Sequence, residues 1–340
     1  MIGKERYNRQ IILKEIGEEG QKKLLDSSVA VIGCGALGNV IANNLARAGV
    51  GRIKIVDRDF VELNNLQRQS LFEESDIGKC KALVTEEKLR GINSEISIEG
   101  IADDVNPVSI EGIIKDMNLV LDATDNLETR FLINDVCIKN KIPWVYGGAV
   151  STYGMSLSVI PNLTPCLRCV FPEMPEPASL PTCELVGVLN TIPTIIGSIE
   201  ATEALKILIG DYEAINKNLL IYDAWRNDFK TVKIQKNEKC KCCVEHEFEF
   251  LTAKARDIIR KLRGVNAVQI IPVKQSKISL EELASKLEKL GEVKIDKSKI
   301  FLEFKINSYV LKIFWNARTV VYGTGDEKIA KSLCAKYVGT

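Results

Sequence analysis

Histidine is nearly missing from this 340-residue chain, which has only His246. Ten cysteines stand against it, so thiol or metal chemistry has to be sought in cysteine spacing. A long apolar run is missing too: nothing approaches the roughly 18 apolar residues of a membrane-spanning helix. The N-terminal MIGKERYNRQIIL carries charges where a secretory signal has its apolar stretch. These absences exclude a membrane span and lead us to expect a cytoplasmic chain, where cysteines favour thiol or metal chemistry over a disulfide scaffold. An excess of one charge sign is also lacking, with 46 Lys and Arg against 45 Asp and Glu, so composition gives no argument for a polyanionic partner. Internal repeats and low-complexity tracts are absent. What remains, 46% hydrophobic and 27% charged residues, is ordinary globular composition, at a length that suggests a large domain and a smaller one.

The apolar run at 29–32, the helical pattern through Leu45 and the apolar run at 53–56 ending on Asp57 read as one strand, helix, strand unit. A helix at about 79–90, a strand in EISIEGI at 95–101, a helix opening at Asn106 with Pro107 in its first position, and the strand NLVLDAT continue the alternation. A helix at 127–140 and the strand IPWVYGGA complete it. Such a series predicts a Rossmann-like, mostly parallel sheet with helices on both faces. From 151 onward STYGMSLSVI and the strand pair at 218–235 read as antiparallel strands continuing the same sheet, with a helix at about 197–209 before the second of them. FPEMPEPASLPT, with Pro172, Pro175, Pro177 and Pro181, is a loop. The expected division is a large domain over 1–248 and a small α/β domain over 249–340, read as helix, strand, helix, two or three strands and a final helix. The basic excess early in that second part reads as a solvated face.

Gly33, Gly35 and Gly38 form G-x-G-x-x-G between the first strand and its helix, and Asp57 follows about twenty residues on. The backbone amides and the helix N-terminus suit a phosphate, and the carboxylate suits ribose hydroxyls. These residues define a nucleotide site and leave NAD and ATP both open. NNLQRQ at 64–69 and IGKCKA at 77–82 tip the choice: Arg68 and Lys81 are cations that a triphosphate needs and a dinucleotide does not. In LDATDN, Asp125 suits Mg²⁺ held jointly with phosphate, Asp122 suits either that or a structural hydrogen bond, and Asn126 either caps the next helix or touches nucleotide. Cys166 with Cys169, and Cys240 with Cys243, are two C-x-x-C pairs suited to a closed, structural Zn²⁺ site. The rival readings there are an unmetallated thiol cluster or Cys242 as a ligand. Cys183 stands alone near a helix start, as an activated thiol or a buried small residue.

Together RYNRQIIL, GCGALG, VDRD, NNLQRQ, the lysine after IGKC, LDATDN, CLRC, CKCC and TCELVGV make residues 5–247 resemble the ThiF, MoeB and HesA family, relatives of ubiquitin-activating enzymes. That resemblance implies adenylation by Mg-ATP of the C-terminal Gly-Gly carboxylate of a small ubiquitin-like sulfur carrier or modifier, giving an acyl adenylate and pyrophosphate. It implies ATP and magnesium contacts at Gly33, Ala36, Asp57, Asn64, Asn65, Leu66, Gln67, Arg68, Lys81, Asp125 and Asn126, alongside Gly35 and Gly38. It also implies a homodimer in which Arg9 reaches the partner's site, a Cys183 that takes a thioester or persulfide in some members, and a sulfurtransferase or cysteine desulfurase as a further partner. Ala36 replaces a common glycine, which a methyl should not make incompatible with ATP. The C-terminal part is too short for a rhodanese domain; its tail resembles the extension of archaeal members, and carrier docking is its expected role. The rival functions are an NAD-dependent oxidoreductase, a non-catalytic nucleotide-binding scaffold, and a dehydratase-type relative adenylating a tRNA-bound carboxylate. For the last, no basic stripe supports nucleic-acid binding.

Overall fold

The structure, a computed structural model, describes residues 5–175, 183–252, 258–262, 266–272, 278–296 and 299–339. Pro177 and Pro181 of the proline-rich loop lie outside these. The chain divides into two compact units, Met1–Ala253 and Lys254–Thr340.

In the first unit two short helices, α1 (Asn8–Ile11) and α2 (Gly17–Leu25), lead into β1 (Ser28–Ile32), α3 (Ala36–Ala48), β2 (Arg52–Val56), α4 (Lys81–Ile92) and β3 (Ser97–Ile101). Then come α5 (Ile110–Ile114), β4 (Leu119–Asp122), α6 (Leu127–Asn140), β5 (Trp144–Val150) and β6 (Tyr153–Val159). The unit closes with α7 (Leu167–Val170), α8 (Cys183–Val186), α9 (Thr191–Ile209), β7 (Leu219–Asp223), β8 (Asp228–Val232) and α10 (Glu249–Thr252). The strands form one sheet in the order β3-β2-β1-β4-β5-β6-β7-β8. Pairing is parallel from β3 to β5 and antiparallel from β5 to β8, as the pattern switch at 151 predicts.

Alternation along the central strands splits the core in two. Val29, Val31, Ile53 and Ile55 face α3, α4 and α9, whereas Ala30, Ile32, Val56 and Val120 face α5 and α6. Strand order reverses between β1 and β4, and ligands of open α/β sheets bind beyond the strand C-termini at that switch.

Two helix starts depart from the sequence reading. Asn106 does organise a turn, accepting from the amides of Val108 (2.9 Å) and Ser109 (3.1 Å), but α5 begins only at Ile110. Its side chain thus serves a turn before the helix, a common alternative for asparagine. Helix α9 begins at Thr191, six residues before the expected start. It is apolar nearly all round, and so lacks the amphipathic period that marks a helix from sequence.

The second unit holds β9 (Ile258–Leu262), β10 (Ala267–Ile271), α11 (Leu280–Leu287), β11 (Glu292–Ile295), β12 (Phe301–Ile306), β13 (Tyr309–Phe314), β14 (Thr319–Tyr322) and α12 (Glu327–Tyr337). Its six strands form an antiparallel sheet in the order β11-β12-β13-β14-β10-β9. Val268, Leu302, Phe304, Leu311 and Val321 pack with Leu280, Leu287 and Ala330 of the two helices. Among the described residues the sheet has two strands before α11 and four after it, more than expected, because β10 is buried along its whole length and shows no alternation.

Candidate functional site

The glycine turn joins the end of β1 to α3. Gly33 has φ +95°, where side chains are strained, and a Cβ there would stand 2.5 Å from the Ala123 carbonyl oxygen. A Cβ on Gly38 would stand 2.1 Å from the Gly33 carbonyl oxygen. Gly35, at the N-cap of α3, has no heavy atom nearer than Gln69 Nε2 at 3.8 Å. Two of the three glycines are therefore demanded by the protein's own backbone, and the middle one is not. The Cys34 amide donates to Asp57 Oδ2 (2.6 Å) and the Asp59 amide to Asp57 Oδ1 (2.7 Å), so Asp57 ties the turn to the end of β2. Burial raises the Asp57 carboxyl above the usual range, against the pull of Lys81.

Lys81 opens α4 and is 6% exposed. Burial lowers its pKa, but the carboxylates of Asp59, Asp57 and Asp125 outweigh it and hold the ammonium charged beyond its ordinary range. Its Nζ stands 3.6 Å from Asp59 Oδ2. Arg68 follows a short helical turn over Leu63–Asn65 and donates to the Asn64 carbonyl (2.9 Å). Asn65 is buried and accepts from the Glu62 amide (3.3 Å), while its Nδ2 donates to Asn64 Oδ1 (2.7 Å). Leu66 packs against the core, and Gln67 is exposed. Ala36 is the first residue of α3.

At the end of β4 the two aspartates separate in role. Asp122 is fully buried and accepts from the Thr124 amide (3.0 Å) and hydroxyl (2.7 Å); its Oδ2 is 3.2 Å from Arg130 Nε. That is the structural reading of Asp122. Asp125 is exposed, and the fields of Arg58, Lys81, Arg130 and Cys183 all include it. Asn126 caps α6, its Oδ1 accepting from the Thr129 amide (2.9 Å).

Cys183, the first residue of α8, is half-buried, and its thiol donates to the Ala149 carbonyl (3.3 Å). Burial pushes this thiol up, Arg68 and Arg130 pull it down, and Asp125 pushes it up again. The structure thus brings Cys183, Arg68, Arg130 and Asp125 into one electrostatic neighbourhood. Arg9 is different: it is exposed on α1, and among the described residues no hydrogen bond or ion pair engages it.

Arg130 is the residue that sequence reading missed. Its Nη2 donates to the carbonyls of Thr124 (2.6 Å) and Gly147 (3.0 Å). The available signal was a cation in the first turn of α6, where the helix dipole disfavours it without a partner.

Cys166, Cys169, Cys240 and Cys243 bring their sulfurs within 4.8 Å of one another. The Cys166–Cys240 and Cys169–Cys243 separations are 3.5 and 3.6 Å. Four thiolates around Zn²⁺ at about 2.3 Å would lie about 3.8 Å apart, so the cluster fits that ion. Cys242 is not one of these four; its sulfur accepts from Asn134 Nδ2 (3.1 Å).

A model described as the ThiF family matches residues 7–242. The sulfur carrier protein ThiS adenylyltransferase of Bacillus subtilis (strain 168) is 36% identical over 338 residues, 98% of this chain and 99% of that protein. The SAMP-activating enzyme E1 of Haloferax volcanii is 42% identical over 241 residues, 71% of this chain and 89% of its own. The match to the Bacillus protein runs through the second unit as well. Among solved structures, Escherichia coli MccB with ATP superposes with a TM-score of 0.63 at 23% identity, over 70% of this chain and 74% of that one, which is a likeness of fold. No helix among the described residues is long and apolar enough to cross a membrane.

Proposed function

The chain belongs to the ThiF family, and from that premise we propose that it is an ATP-dependent adenylyltransferase for a small ubiquitin-like sulfur carrier ending in Gly-Gly. The observation that carries this reading is the gathering of Lys81, Arg68, Arg130 and exposed Asp125 beyond the glycine turn. An oxygen of the carrier's terminal carboxylate attacks the α-phosphorus of ATP. A new O–P bond forms as the bond to the β-phosphate bridging oxygen breaks, and pyrophosphate leaves with the electron pair. The turn at Gly33–Gly35 and the N-terminus of α3 receive phosphate, and Asp57, with Asn64, Asn65, Leu66 and Gln67 nearby, borders the nucleoside. Lys81 and Arg68 oppose the charge that moves onto pyrophosphate. The exposed Asp125 carboxylate suits Mg²⁺, which when bound neutralises phosphate charge.

Among the described residues Arg9 has no hydrogen-bond or ion-pair partner, and this supports a homodimer in which it serves the other copy's site. The four-cysteine cluster would hold Zn²⁺ as a structural brace, since four protein ligands leave no coordination position for chemistry. Cys183, close to the site but with a raised thiol, acts after the adenylate: its thiolate takes the acyl group as AMP leaves, or takes the outer sulfur of a partner's persulfide as that partner's thiolate leaves. An oxidoreductase reading has no use for this cation group, and the names of the relatives do not favour it.

The test is exchange of labelled pyrophosphate into ATP with candidate carriers. Exchange that appears only with a carrier ending in Gly-Gly supports the reading; nucleotide binding without exchange with any carrier refutes it.

A further inference from the structure

Behind the site, helix α9 carries an acid that the mechanism above leaves unused. Glu200 is fully buried, and neither carboxyl oxygen has a hydrogen-bond partner among the described residues. It presses on β5 so closely that a Cβ on Gly147 would stand 1.8 Å from Oε1. The carbonyl of Gly147 is one of the two that receive Arg130 Nη2. The charged and titratable groups facing Glu200 are Asp122 of β4, Arg130 of α6 and Tyr146 of β5. The face of α3 against α9 is apolar, with Leu37 and Val40 around Gly197. On α9 itself Glu203 is engaged by Ser158, Lys206 and the Asn216 amide.

Asp122 and Glu200 thus lie in the field of one guanidinium, but only Asp122 pairs with it and has donors. An ionised carboxylate buried without donors is expensive, whereas a neutral carboxyl in the same place costs much less. We propose that Glu200 is a positioning residue: its proton-bearing carboxyl backs Gly147 and leaves Arg130 paired with Asp122 alone, so that the guanidinium stays aimed at the carbonyls of Thr124 and Gly147. Burial pushes the Glu200 carboxyl well above the usual range, with Asp122 adding to the effect and Arg130 opposing it. Once ionised, Glu200 competes with Asp122 for Arg130 and draws it off the Thr124 and Gly147 carbonyls.

This inference rests on the adenylation reading for its activity assay, and a second measurement needs no turnover. Pyrophosphate exchange is followed from about pH 6 to pH 10 in the full chain and in Glu200→Gln, whose amide matches the neutral acid in shape. Wild-type kcat should fall about tenfold on the alkaline side, and Glu200→Gln should lack that fall, with KM for ATP unchanged and neutral-pH activity within about threefold. Coincident pH profiles overturn the proposal, and so does a Gln variant that fails to fold, since the amide fits only where the resident group is neutral. In parallel, iodoacetamide alkylation of Cys183 should show a second, alkaline ionisation in wild type that Glu200→Gln lacks. If no carrier supports exchange but the alkylation profiles differ in this way, the adenylation reading fails and the Glu200 assignment stands.

Discussion

The three glycines of the fingerprint should respond very differently to alanine. At Gly38 the added methyl meets a backbone oxygen at 2.1 Å, and neither α3 nor the turn can yield by more than 1 Å without disturbing the buried faces of Leu37 and Ile41. Overpacking of this kind costs about 3 kcal/mol. At Gly33 a contact at 2.5 Å is joined by about 1–2 kcal/mol for a left-handed backbone, giving a similar or larger total. For a unit of 253 residues, 3 kcal/mol corresponds to a fall in Tm of roughly 6–12 °C. Gly35 has φ −80° and open space around its Cα, so Gly35→Ala should melt within about 2 °C of wild type. In the proposed nucleotide site its methyl would nevertheless stand where a pyrophosphate approaches the backbone. ATP affinity of Gly35→Ala should therefore fall at least about tenfold, measured by isothermal titration calorimetry beside differential scanning calorimetry. The reasoning is refuted if Gly35→Ala loses as much stability as Gly38→Ala, or if it binds ATP as tightly as wild type.

The remaining expectations concern the charged and thiol groups. Lys81→Met should lower pyrophosphate exchange by about 10²–10³, the usual cost of one preorganised charge-stabilising group; a change under tenfold would remove Lys81 from the chemistry. Cys183→Ser should still form the acyl adenylate, detected by mass spectrometry of the carrier, while failing in any later transfer. At neutral pH Cys183 should alkylate more slowly than a free thiol because its pKa is raised, gaining rate as pH climbs; Arg68→Ala should slow it further, since Arg68 pulls that thiol down. Elemental analysis should find one Zn²⁺ per chain, lost together with thermal stability in Cys240→Ser; full stability without metal would leave the cluster a set of packed thiols. Mixing inactive Arg9→Ala with inactive Asp125→Ala chains should restore about a quarter of wild-type activity if Arg9 serves the partner's site, because half the sites are intact in the mixed half of dimers.

Most of the first unit was legible because its signals are local. The run VAVI, the turn GCGALG and Asp57 state strand, phosphate turn and strand end, and a mostly parallel sheet with helices on both faces follows from connection rules. Two helix starts were misread where the signal was not periodic: α9 is buried on nearly all sides, and Asn106 spends its side chain on a turn. The second unit was harder because β10 is buried throughout and has no alternation to read. Within the site, residues that touch backbone were visible as motifs. Arg130 and Glu200 were not, since one is an ordinary surface-type cation in sequence and the other an ordinary helix residue, and only the fold puts them behind β4 and β5.

The charges at the site also bear on why a single chain should be insufficient for the proposed reaction. Lys81 faces Asp59, Arg130 faces Asp122, and Arg58 pairs with Asp104. A fourth cation, Arg68, is engaged by a carbonyl and has no ion pair among the described residues. A triphosphate brings nearly four negative charges into a partly buried site where Coulomb interactions are several times stronger than in water. One uncommitted arginine and the amides of the α3 N-terminus, equivalent to about half a charge, fall short of that. A divalent cation at Asp125 and a further arginine from outside the chain would close most of the gap. Arg9, exposed on α1 and without a hydrogen bond or ion pair among the described residues, is the cation that a second copy could supply. ATP affinity should then weaken on dilution into monomers, in parallel with the loss of exchange activity. Affinity that stays constant across the dissociation range would mean that the chain's own cations suffice.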